Sequence, residues 1–130
     1  TGTGPVVADN TATSTITITL RDANNNGVSG QTPTFTATNT GSTNVYGSCS
    51  ASDATGASTC TLRSTKAQVK TLNITAPVSK TGGTVTFIAG SPSSTTTTIT
   101  GTSPVSADGV STSIISITIL DAYSNPIAGT

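Results

Sequence analysis

From Thr13 to Asp22 the chain alternates between small polar and branched apolar residues. Ile16, Ile18 and Leu20 fall on one face, Thr15, Thr17 and Thr19 on the other. A two-residue period marks a strand buried on one side. Thr32–Thr38 repeats the pattern with Phe35 and Ala37 as alternate neighbours. Val45–Cys49 and Ala57–Ser64 form two arms around Ser52-Asp53-Ala54-Thr55-Gly56. Val69–Ala76 sets Leu72, Ile74 and Ala76 on one face, and Thr84–Ala89 does the same with Val85, Phe87 and Ala89. No stretch has a helical period. Short strands separated by Gly, Asn and Pro predict an all-β sandwich of about seven strands. Its core is expected to hold Ile16, Ile18, Leu20, Phe35, Leu62, Leu72, Ile74, Val85 and Phe87.

The same pattern returns later in the chain. TGTGPVVADN at Thr1 reappears as TGTSPVSADG at Thr100, and the match runs on without a gap. Ile16 and Ile18 fall on Ile115 and Ile117, Asp22-Ala23 on Asp121-Ala122, and Gly30 on Gly129. The offset is a constant 99 residues. A period near one hundred means whole domains in series rather than a solenoid of small units. The reading is therefore one repeat over residues 1–92 and the opening strands of the next over residues 93–130. Ser94–Thr100 reads as a strand feeding the second copy, and the counterpart of that strand is absent ahead of Thr1.

Composition sharpens this picture. Only 32% of residues are hydrophobic and 8% charged, with a net charge of zero. Thr supplies the missing polarity: it favours strands, packs its methyl group and turns its hydroxyl to water. The chain has no His, Met, Trp or Glu. A neutral, charge-poor surface offers no footprint for nucleic acid, and no apolar run is long enough for a membrane span. Two Cys without His do not make a standard zinc site. A disulfide is the better reading, and it places the protein outside the cytosol.

Cys49 and Cys60 lie at equal distances from Ala54-Thr55, so they should face each other across the hairpin arms. Directly opposed strand residues bring β-carbons within about 4.5–5.5 Å, close to disulfide geometry. Asp22–Gly27, DANNNG, matches the opening of a calcium loop. The twelfth position, where a carboxylate is required, is Pro33, and the second copy reads DAYSNP. An Asn-rich turn closed by Asx hydrogen bonds accounts for these residues without a metal. Lys66, Lys70 and Lys80 read as solvated lysines; an isopeptide to Asn is the alternative. Asn73-Ile74-Thr75 is a formal glycosylation sequon and reads as an outward Asn on a strand. Ser is abundant, but no base accompanies it, and five scattered Asp form no acid pair. No catalytic residue, cofactor site or metal site is expected, and the chain is read as a non-enzyme.

Three stretches carry a resemblance. Asp9 and Asp108 each precede an alternating strand. Asp22-Ala23 is followed by Asn26-Gly27-Val28 and Gly30, echoed by Asp121-Ala122, Asn125-Pro126-Ile127 and Gly129. Ser52–Thr65 reads SDATGASTCTLRST. In order and spacing these are similar to the bacterial immunoglobulin-like domains of the invasin and intimin family. The resemblance implies an immunoglobulin-like Greek-key sandwich in an extracellular rod or stalk, and it supplies no catalytic residues. The function expected is a structural spacer of a bacterial surface adhesin or fibre. The alternatives are a filament subunit completed by strand exchange and a ligand-binding adhesin module. Expected partners are neighbouring repeats or adjacent fibre subunits, with any host receptor met through other domains.

Overall fold

The computed structural model describes residues 1–129, which divide into two compact units, the first ending at Ile88. The first unit contains seven strands: β1 (Val6–Val7), β2 (Ser14–Thr19), β3 (Thr34–Ala37), β4 (Asn44–Tyr46), β5 (Ala57–Ser64), β6 (Gln68–Ala76) and β7 (Lys80–Ile88). One sheet runs β1-β7-β6-β3 and the other β2-β5-β4. The chain therefore changes sheet after β1, β2, β3 and β5, which is the connectivity of an immunoglobulin-like Greek key.

Alternation decides which side chains meet between the sheets. Along β2, Ser14, Ile16 and Ile18 are buried and the intervening threonines exposed. Along β5, Ser58, Cys60, Leu62 and Ser64 point inward. Phe35, Ala37, Leu72, Val85 and Phe87 meet them from the other sheet, with Ala8 and Leu20 closing the cluster. Eight of the nine expected core residues are buried, and Ile74 is half-buried. Ile74 lies next to a shift in register. The β3–β6 ladder pairs Phe35 with Ile74 but Thr34 with Ala76, so Thr75 is an extra residue. Such a bulge turns the strand and breaks strict alternation.

Three features depart from the expectations drawn from the sequence. β1 has only two residues and pairs parallel with β7, Val6 opposite Phe87; two residues show no period. β7 begins at Lys80, ahead of Gly82-Gly83, where the composition suggests a turn. Lys70 is 0% exposed, which corrects its reading as solvated. It sits two residues before Leu72 on the inward face of β6, its Nζ donates to Thr38 O at 3.2 Å, and it lies 5.7 Å from the centroid of the Phe87 ring. The long apolar stem packs while the ammonium finds a carbonyl and an aromatic face. Burial holds its pKa below the ordinary lysine value.

The second unit, from Ala89 on, holds β8 (Thr98–Gly101) and β9 (Ile115–Thr118), paired antiparallel with Ile99 opposite Ile117 and Gly101 opposite Ile115. Its local structure follows the first at the offset of 99. Gly2 bridges Ile16 as Gly101 pairs with Ile115. Ser14 Oγ donates to Thr3 O at 2.6 Å, and Ser113 Oγ to Thr102 O at 2.8 Å. Thr15 N donates to Thr3 Oγ1 at 2.9 Å, and Ile114 N to Thr102 Oγ1 at 3.0 Å. Burial does not follow: Ile16 is 1% exposed and Ile115 is 56% exposed.

Candidate functional site

The stretches that carry the resemblance converge in the first unit. Leu20 N donates to Gly56 O, Gly30 N to Ser52 O and Ser52 N to Gln31 O, each at 2.8 Å. Ser52 is buried, and its hydroxyl donates to Val28 O at 2.7 Å while accepting from Gln31 N at 3.0 Å. The Asp22 turn and the Asp53 hairpin are thus one hydrogen-bonded body. Two glycines allow the approach. A Cβ on Gly27 would collide with the Thr55-Gly56 backbone, and Gly56 itself has φ +82°, a conformation that side chains disfavour. The sequence signals a turn at each place but does not show that the two turns touch.

Each turn is closed by its own aspartate. Asp22 Oδ1 accepts from Asn24 N at 2.9 Å and Asn26 N at 2.8 Å, and Oδ2 accepts from Asn26 Nδ2 at 3.0 Å. Asp121 makes the same three bonds to Tyr123 N, Asn125 N and Asn125 Nδ2, at 2.9, 2.8 and 2.8 Å. Asp53 Oδ1 accepts from Thr55 Oγ1 at 2.7 Å, Thr55 N at 2.8 Å and Ala57 N at 3.0 Å. Asp9 accepts from the amides of Thr11 and Ala12, as Asp108 does from Val110 and Ser111. These carboxylates face amide and hydroxyl donors, the arrangement of Asx turns rather than of a cation loop.

The donors stabilise the ionised form, so the pKa values lie below the ordinary Asp value. Asn26 does this for Asp22, Thr55 for Asp53, the Ala12 amide for Asp9. The amides of Ser111 and Val110, with the Ser111 hydroxyl, lower Asp108 to about 2. Burial raises Asp121, but bonds from Gly90, Asn125 and Tyr123 outweigh it. A carboxylate whose pKa is depressed by folding contributes stability above its unfolded pKa, and that contribution is lost as pH falls through the folded pKa. The melting temperature should therefore be level from pH 7 to about 5 and fall between about pH 4 and 2. Calorimetry across that range checks this; a level profile to pH 2 would contradict it.

Cys49 and Cys60 are bonded, with Cα atoms 4.1 Å apart. Their opposition depends on a bulge. Gly47 N donates to Thr61 O, but Ser50 N donates to Thr59 O, so three steps on one arm match two on the other. Continuing the β4 register of Tyr46 with Leu62 would have set Ser48, not Cys49, opposite Cys60. The disulfide stays within one sheet, its Cys60 end in the core and Cys49 packed against it. Nearby, Tyr46 joins the two sheets: its hydroxyl accepts from Ala37 N and donates to Ala37 O, both at 3.2 Å, and its ring meets Phe35 edge-on.

Residues 1–88 match the family model of the bacterial Ig-like domain, group 1. The chain belongs to that family. This bacterial Ig-like chain is also similar to the solved structure of invasin, a bacterial integrin-binding protein, with a TM-score of 0.69 and 26% identity over 96% of the chain. The likeness to InvD of Yersinia pseudotuberculosis has a TM-score of 0.66 and 21% identity over 93% of the chain, and it shows the fold. The Ig-like chain covers 26% of the invasin chain and 39% of the InvD chain. No curated protein sequence matches it.

Proposed function

We propose that the chain is a structural spacer from the stalk of an extracellular bacterial surface adhesin or fibre, with no catalytic activity of its own. The observation that carries this reading is the recurrence of one local structure at a spacing of 99 residues, bond for bond through the Ser14, Asp9 and Asp22 positions. Copies of one domain in series give reach, and each needs contact only with its neighbours. The likeness to invasin supports a surface location, and the disulfide fits an oxidising compartment. Partners in this reading are the adjoining repeats, with a host receptor met by other domains.

One observation favours a second reading. Ile115 and Ile117 on β9 are exposed, a face that a strand from another chain could cover in a filament. Small-angle scattering on chains carrying one, two and three further repeats separates the two. A spacer gives monomers whose maximum dimension grows by an equal increment per repeat. Particles that stay compact as repeats are added, or that polymerise with concentration, would contradict it.

A further inference from the structure

We propose that Asn26 is a site of spontaneous covalent modification, in which the Gly27 amide closes on the Asn26 carboxamide and the ring then opens to aspartate or isoaspartate. A base takes the Gly27 N–H proton, the nitrogen bonds to Asn26 Cγ, and the Cγ–Nδ2 bond breaks to release ammonia. Water then adds to the succinimide and cleaves one of the two ring C–N bonds. The attack is intramolecular, so the reacting atoms are already held close together.

Three observations single out this pair. Asn26 is exposed on the turn after β2, and of the Asn in the chain it alone precedes a residue without a β-carbon. A side chain at the following position crowds ring closure, whereas Gly leaves the amide bare and the backbone free to turn. The Gly27 amide is also unengaged by its neighbours. The bonds that flank the Arg21–Gly27 bridge run from Asp22 N to Asn26 O and from Val28 N to Leu20 O, so Gly27 N stands outside the ladder they form. Lastly, packing imposes glycine here, because a β-carbon would collide with the Thr55-Gly56 backbone. The contact that joins the two turns thereby removes the protection that a side chain at 27 would give.

The second copy has the opposite arrangement. Asn125 bonds to Asp121 as Asn26 does to Asp22, but it is buried and followed by Pro126. Proline carries no N–H, so no ring can close. Asp108-Gly109 has the bare neighbour but lacks the electrophile. The Asp108 carboxyl is held ionised, its pKa lowered to about 2, and a carboxylate repels a nucleophile that an amide accepts.

One side-chain bond restrains Asn26: its Nδ2 donates to Asp22 Oδ2 at 3.0 Å. Conversion removes that donor and sets a second carboxylate facing Asp22. Isoaspartate also adds the β-carbon to the main chain, at the place where Gly27 fits against the Asp53 hairpin. The bond from Leu20 N to Gly56 O, 2.8 Å in the intact chain, should weaken in consequence. In a series of repeats, copies with Gly at this position would age and copies with Pro would not.

The test is incubation of the native chain at neutral pH for several weeks, followed by peptide mapping with fragmentation and isoaspartyl methyltransferase labelling. Asn26 should convert at least about tenfold faster than any other Asn, Asn125 included. Asp22→Ala, shown by thermal melting to be folded at the incubation temperature, should convert faster again. Asn26→Asp should lower the melting temperature and speed amide exchange at Leu20, as ageing does. Conversion of Asn26 no faster than that of Asn39 would overturn the proposal. So would conversion that appears in urea but not in the native chain, or conversion of Asn125 at an equal rate. An Asp22→Ala rate equal to that of the unsubstituted chain would overturn the restraint assigned to Asp22.

Discussion

Ile16→Ala should destabilise the first unit by about 2–5 kcal/mol, while Ile115→Ala should change the stability of this chain by well under about 1 kcal/mol. The two residues hold the same position in the repeated pattern, and each pairs with its Gly counterpart, Gly2 or Gly101. Their surroundings differ. Ile16 lies among Leu62, Val85 and the rest of the core cluster, whereas Ile115 is more than half exposed. Truncating a buried side chain loses its transfer energy and leaves a cavity; truncating an exposed one does neither. Urea denaturation followed by tyrosine fluorescence in a Tyr123→Phe background, where Tyr46 is the one remaining tyrosine, reports the first unit. Thr17→Ala is the control on the outer face and should cost far less than Ile16→Ala. A Thr17→Ala cost equal to that of Ile16→Ala would mean that β2 faces the other way.

Reduction of Cys49–Cys60 should lower stability by about 3 kcal/mol at most and leave the domain folded. The bond closes a short loop, with a sequence separation of 11, and the entropy that a cross-link removes from the unfolded chain grows only with the logarithm of loop length. A core drawn from both sheets remains after reduction, and small domains hold about 5–15 kcal/mol in total. The native protein should take up no alkylating reagent until it is reduced, and its denaturation midpoint should then fall without loss of cooperativity. Two alkylated cysteines in untreated native protein would sink this expectation. Unfolding on reduction alone would show that the bridge, rather than the core, holds the sandwich.

The parts of the fold legible in the sequence are those where period and burial coincide. β2 alternates without interruption, and Ile16 and Ile18 on its inward face are residues the pattern names, as is Leu62 on β5. The bulges were not legible. The extra residue at Thr75 interrupts the β3–β6 ladder next to Ile74, and the one near Ser48 brings Cys49 into line with Cys60. The symmetric spacing of the two cysteines about the hairpin gives the right pair, but the ladder that opposes them is not symmetric. β1 stayed hidden because two residues have no period and parallel pairing with β7 is non-local. Lys70 misleads for a different reason. Its inward position follows from the alternation of β6, but charge argues for solvent, and only Thr38 and Phe87 show how burial is tolerated. The turn motifs announce bends; that Ser52 stitches two of them together depends on a hydroxyl whose partners are more than 20 residues away.

The central claim is that a single domain pattern recurs at 99 residues and that β9 is the second instance of β2. Amide exchange at Ile115–Thr118 tests it most directly, measured in this chain and in a chain extended through the remainder of the second repeat. A two-stranded hairpin is marginal in water, so β9 in the present chain should exchange close to unprotected rates. Extension supplies the counterparts of β5, β6 and β7, and protection at Ile115 and Ile117 should rise by about a thousandfold or more, toward that of Ile16 and Ile18. A monomeric short chain in which β9 is already as protected as β2, or an extended chain in which β9 remains unprotected, would contradict the account.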